Sequence, residues 1–172
     1  MNEVRVTPWQ DGEPVPAELL SAIRARRPKG ELIGIDRVLL KSFPLATGWN
    51  ELLGRVRAEF TLPLVLREMI MLRVAVLNQA EFEWHVHYPA YIQAGGTPAK
   101  AQKLLDSEIA DVFDEKEAAL LRLTDQSTRR VAVDEVVIEE VKQAFGEQQT
   151  VEAVATVAAY NMVSRFLVAL NI

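Results

Sequence analysis

Apolar residues recur at three- and four-residue intervals along most of the chain, period-two alternations are few, and Gly and Pro gather where the apolar stretches end. The pattern predicts an all-α fold of about eight to nine helices. After an extended arm over residues 1–16, helices are expected at 17–27, 32–41, 45–60, 63–79 and 81–94. A sixth starts at Thr97-Pro98, a seventh at Asp114, where Glu117 completes a capping-box pattern, an eighth covers 134–145, and a ninth runs from 150 to near the C-terminus. The fourth helix is apolar nearly all round, with Leu66, Met69, Ile70, Leu72, Val74 and Val76, which marks a core element. Gly95-Gly96 closes the fifth, because glycine takes the left-handed cap conformation without strain. Residues 17–172 read as one domain, and the arm before it is of a kind that can lie across a neighbouring subunit.

Composition narrows the chemistry. The 172 residues are 49% apolar and 25% charged, the values of a globular chain, and none is cysteine. Disulfides, thiolate nucleophiles, dithiol redox couples and cysteine-ligated metals are therefore excluded for this chain. A formal charge of −5 argues against a nucleic-acid partner that needs a basic face. The first sixteen residues lack the layout of a signal peptide, so a cytoplasmic location is expected. The run 151–172 approaches membrane length, but Glu152, Asn161 and Arg165 interrupt it, and no membrane span is expected. That last helix is small and apolar on most sides, which points to a homo-oligomer that covers it.

Both histidines fall in the stretch Glu81-Phe82-Glu83-Trp84-His85-Val86-His87-Tyr88. At about 100° per residue, Glu83 and His87 project from one helix face with Tyr91 one turn further, while Glu81 and His85 form a second pair on another face. His85 and His87 lie about 200° apart and cannot meet on one metal ion. Glu/His pairs of this spacing are also ordinary surface interactions worth a few tenths of a kcal/mol, and Trp84 suits a core anchor as well as a substrate platform. Glu68 adds to the functional reading. It is a carboxylate inside the nearly all-apolar fourth helix, where an isolated charge is costly, so it needs a partner: Arg67 or Arg73 structurally, or His87 as an acid/base pair.

The segment from Arg67-Glu68 through Leu72-Arg73-Val74-Ala75-Val76-Leu77-Asn78 to His87 and Ala94-Gly95 resembles the carboxymuconolactone decarboxylase / alkylhydroperoxidase D-like superfamily. Redox members of that superfamily carry E-x11-C-x2-C-x3-H, and Glu68, Ala80, Glu83 and His87 occupy those four positions here. The resemblance implies an all-helical bundle assembling into trimers or hexamers. With both thiols replaced, cysteine-based peroxidase activity is not expected. The decarboxylase branch, which releases CO2 from a lactone acid without dithiol or metal, is the closer analogy. It implies a cofactor-independent lyase-type enzyme on a small organic acid or lactone, with Glu68, Glu83 and His87 catalytic and Trp84, Tyr91 and Arg73 binding substrate. The alternatives are a divalent metal held by the two carboxylates and the histidine, or a non-catalytic oligomeric module.

Overall fold

Each stretch of helical periodicity is a helix in the computed structural model, which describes residues 4–172. Residues 1–3, the start of the expected arm, lie outside the described residues. Among the described residues there are eight α-helices, one 3-10 turn at Pro28–Gly30 and no strand. The helices are α1 (Ala17–Ala25), α2 (Gly34–Leu39), α3 (Phe43–Ala58), α4 (Leu64–Leu77), α5 (Glu81–Gln93), α6 (Pro98–Lys103), α7 (Glu115–Arg130) and α8 (Glu135–Leu170). The eighth and ninth expected helices are the two halves of α8. Gly146 divides them with φ 77° and ψ 172°, a conformation that side chains with a Cβ rarely adopt.

The chain divides into two compact units, one of residues up to Glu59 with Ala169–Ile172, the other Phe60–Val168. In the first, α3 packs on α1 and α2. The described part of the arm is held there too: Trp9 is buried, its N–H donates to the Arg37 carbonyl at 2.9 Å, and the Arg5 N–H donates to the Leu170 carbonyl at 2.9 Å. Asp36 is buried and takes two hydrogen bonds from Arg27, at 2.6 and 2.8 Å, while capping α2 through the Ile33 N–H at 3.1 Å.

The second unit is organised around α4, which packs against α5 and α7. Every residue from Arg67 to Ala75 is buried, so α4 has no solvent face through its middle. Its C-terminus turns tightly: Ala80 N–H returns to the Ala75 carbonyl at 2.8 Å and Gln79 N–H to Val76 at 3.1 Å, with Gln79 left-handed at φ 55°. α5 ends the same way. Gly96 N–H bonds the Tyr91 carbonyl at 2.9 Å, Gly95 N–H bonds Ile92 at 3.1 Å, and Gly95 takes φ 107°. Gly96 is required for a different reason, since a Cβ there would lie 2.3 Å from the Tyr91 ring. Thr97 caps α6 by accepting from Lys100 N–H at 3.2 Å. Asp114 and Glu117 cap α7 reciprocally at 2.8 and 2.9 Å.

α8 is the one helix among the described residues long and apolar enough by composition to cross a membrane, yet half of its most apolar window is buried within the chain. Several of its polar residues face inward. Glu152, Thr156, Tyr160 and Ser164, spaced four apart, are all buried, as is Asn161, which makes it a core helix. Val151, Val154 and Met162 on its other side are exposed.

Glu152 anchors the turn that leads into α4. Its Oε2 accepts from Leu62 N–H at 2.7 Å and Thr61 Oγ1 at 3.0 Å, and its Oε1 accepts from Gln148 Nε2 at 3.1 Å. Burial pushes the carboxyl pKa up, but the backbone of Thr61 and Leu62 together with the Gln148 and Thr61 side chains outweigh it and hold the group below its ordinary value. The stability tied to this charge is present above the unfolded glutamate value of about 4.3 and is lost as pH falls through the lower folded value. In urea unfolding, Glu152→Gln should be about 1–2 kcal/mol less stable than the parent chain near neutral pH. The gap should narrow steadily once the pH drops below about 4, where the parent also loses the charge.

Candidate functional site

The site is built on α4, α5 and α8 of the second unit. On α5, the buried residues are Glu83, His87 and Tyr91, the i, i+4, i+8 set of one face, and α4 brings Glu68 to that face from across the helix pair. His87 Nδ1 lies 2.7 Å from Glu68 Oε2, and both side chains are more than nine-tenths buried. With Glu68 ionised, the carboxylate accepts from Nδ1–H, so it fixes the imidazole's orientation and leaves proton exchange to Nε2. Tyr160 of α8 closes one side, its ring edge-on to the imidazole with centroids 5.0 Å apart and planes at 83°. Arg67 is the nearby cation. Its Nε donates to the Leu62 carbonyl at 2.8 Å, and burial lowers its pKa against the pull of Glu68, Glu152 and Tyr160.

Glu83 occupies the same face one turn earlier and is almost fully buried. Its Oε2 accepts from Ser164 Oγ of α8 at 2.7 Å. Ser164, Tyr160 and Asn161 are residues that sequence reasoning did not assign to the site. Their signal was available, since polar side chains at three- and four-residue spacing inside an apolar helix must find partners when buried. Asn161 joins three elements: its Oδ1 accepts from Asn78 Nδ2 at 3.0 Å and Arg165 at 3.1 Å, and its Nδ2 donates to Thr128 Oγ1 at 2.9 Å.

The three residues expected to bind substrate sit in different surroundings. Arg73 is buried and bonded twice to Asp125 of α7, at 2.6 and 2.7 Å, with its remaining bonds to the Leu104 and Asp106 carbonyls at 2.7 Å each. Four of its five N–H donors are thereby committed to the fold. Tyr91 is buried beside Gly96, and burial, together with the Glu117 charge, raises its phenol pKa against a backbone hydrogen bond from Thr97. Trp84 is half-buried and lines an open cleft of about 390 Å³ with Val76, Ala80 and Leu105 as apolar walls. Among the described residues no group of three or more His, Asp or Glu side chains is arranged to hold a metal ion.

Residues 44–126 match the Carboxymuconolactone decarboxylase family. No curated protein matches the chain in sequence. Among solved structures, an uncharacterized peroxidase-related protein from Silicibacter sp. superposes with a TM-score of 0.82 at 17% identity, over 99% of this chain and 92% of that one. A cysteine-to-alanine variant of the debrominase Bmp8 in complex with 2,3,4-tribromopyrrole gives 0.79 at 18% identity, over 99% and 91%. A protein of unknown function from Agrobacterium tumefaciens, named for the antioxidant defence protein AhpD, gives 0.71 at 19% identity, over 81% and 94%. The fold is therefore all-α and AhpD-like, and the chain carries it without a cysteine.

The Arg73–Asp125 geometry makes a direct prediction. Removing the carboxylate strands a buried guanidinium, so Asp125→Ala should lower unfolding stability by about 3–5 kcal/mol in urea titrations. A loss below about 1 kcal/mol would show that the pair is dispensable to the fold.

Proposed function

We propose that this chain, whose residues 44–126 match the carboxymuconolactone decarboxylase family, is a cofactor-independent acid/base enzyme of the lyase or decarboxylase type, acting on a small organic acid or lactone. The observation that carries this reading is the buried 2.7 Å contact between His87 Nδ1 and Glu68 Oε2. A carboxylate holding an imidazole by one nitrogen is the arrangement that a proton donor or acceptor requires, and it remains when the thiols of the redox members are replaced. In the decarboxylation, the bond to the carboxylate breaks, CO2 leaves, and the bonding pair is delocalised as an enolate. His87 Nε2–H then supplies the proton to carbon, with Glu68 stabilising the imidazolium from Nδ1. Glu83, at the second thiol position, is a further acid/base group on the same face.

Trp84 and Tyr91 contribute the aromatic surroundings, while Arg73 supports the site through Asp125. Thiol-dependent peroxide reduction has no nucleophile in this chain. The exposed Val151, Val154 and Met162 of α8 are consistent with a homo-oligomer that covers them, for which the family resemblance implies a trimer or hexamer, and the proposed location is the cytoplasm. The depth at which Glu68, Glu83 and His87 lie favours one second reading, a non-catalytic oligomeric module built on the same scaffold.

Purified protein offered lactone acids, beginning with 4-carboxymuconolactone, should release CO2. His87→Ala and Glu68→Gln should each lower kcat about 10²-fold or more while retaining the helical circular-dichroism spectrum. Peroxide with a dithiol reductant should give no turnover above a heat-killed control. Full activity in both variants would remove Glu68 and His87 from the mechanism, and loss of folding in both would favour the module.

A further inference from the structure

His85 and Gln79 have no part in the Glu68–His87 site, yet both line the cleft beside Trp84. The cleft lies where α4 ends and α5 begins, and none of Glu68, Glu83 or His87 borders it. Of the residues that the proposed function uses, Trp84 alone borders the cleft, so binding here is tested through His85 rather than through the acid/base pair. At about 390 Å³, the cleft has room for a molecule of one or two rings.

His85 has its hydrogen-bonding role set by the helix. Its Nδ1 lies 2.7 Å from the Glu81 carbonyl oxygen one turn back. A carbonyl oxygen only accepts, so Nδ1 carries the hydrogen, and the neutral imidazole presents its lone pair at Nε2. Nε2 has no partner among the described residues, and His85 is exposed at the cleft. Such a nitrogen is a preset acceptor, with no tautomer change required when a donor arrives.

Gln79 supplies a second observation. It holds φ 55° at the α4 terminus, where glycine would be relaxed and a longer side chain costs about 1 kcal/mol. Its side-chain amide makes no hydrogen bond among the described residues, and it borders the same cleft. The strained position thus puts a polar side chain at the edge of the cleft, where a glycine would supply none. The walls are otherwise apolar: Val76, Ala80, the indole of Trp84, and Leu105, a large side chain left exposed. Glu81 also lines the cleft, and an acidic side chain there disfavours anions.

We propose that this cleft binds a small, neutral, aromatic molecule carrying one polarised O–H or N–H, whose hydrogen is accepted by His85 Nε2 while its ring covers Trp84 and Leu105. Phenol and anisole separate this from simple apolar binding. The two are similar in shape, anisole is the more apolar, and only phenol donates. A cleft acting through apolar contact alone would prefer anisole.

The chain has two histidines, so imidazole nitrogen NMR of the intact protein follows His85 directly, with His85→Phe giving the assignment. Phenol should bind saturably in the millimolar range or tighter and move the His85 Nε2 resonance, and anisole should bind about tenfold more weakly. His85→Phe, at an exposed position, should abolish the preference for phenol, and Trp84→Ala should weaken both ligands by similar factors. Equal or tighter binding of anisole, an unchanged preference in His85→Phe, or no saturable phenol binding below about 10 mM would each overturn the proposal.

Discussion

A charge inside an apolar helix has to be met by a fixed partner, and α4 carries three such charges within a stretch that has no solvent face. Arg67, Glu68 and Arg73 are buried among Met69, Ile70, Met71, Leu72 and Val74. Each commits a different neighbour: the Leu62 carbonyl in the turn before α4, His87 on α5, and Asp125 on α7. An unpaired charge at such depth costs several kcal/mol, so each pairing constrains how α4 meets the element that supplies its partner. The chemistry of the site and the placement of the helices are thus two results of one constraint.

The same constraint explains how much could be read from the chain. Helix order followed from periodicity and from local punctuation, the Asp114–Glu117 box, Thr97-Pro98 and Gly95-Gly96, because caps are short-range and carry their own residue preferences. Glu68 and His87 were legible together because a carboxylate in an apolar helix demands a partner. The pairing of Arg73 was not, since Asp125 lies 52 residues away and nothing in the spacing singles it out. The partners of Ser164 and Tyr160 were illegible for a related reason, although the polar spacing itself was there to be read. Glu152, Asn161 and Arg165 stood out as interruptions of a long apolar run, but which helix they would meet depends on tertiary packing. The two helices read from the sequence over 134–145 and from 150 onward are the two segments of α8 on either side of Gly146, whose φ of 77° and ψ of 172° are not helical.

Depth divides the second unit chemically. Glu83, His87 and Tyr91 point inward from α5, while Glu81, Trp84 and His85 of the same helix border an open cleft. One helix therefore presents two histidines in unlike settings: one is buried and held by a carboxylate, the other is exposed and held by a backbone carbonyl. Ala80, at the first thiol position of the redox relatives, caps this helix and forms part of the cleft wall. A methyl group there gives shape where a sulfur would give reactivity.

With no cysteine, the sulfur of this protein is confined to four methionines. Met69 and Met71 lie fully inside α4, out of reach of an oxidant while the fold is intact. Met162 is exposed on α8, as are Val151 and Val154 of the same helix. Sulfoxide formation there would convert an apolar contact into a polar one without touching the acid/base pair. Among the described methionines, an oxidising environment would thus be felt first on the outer face of the last helix, while the centre of the molecule kept its chemistry unchanged.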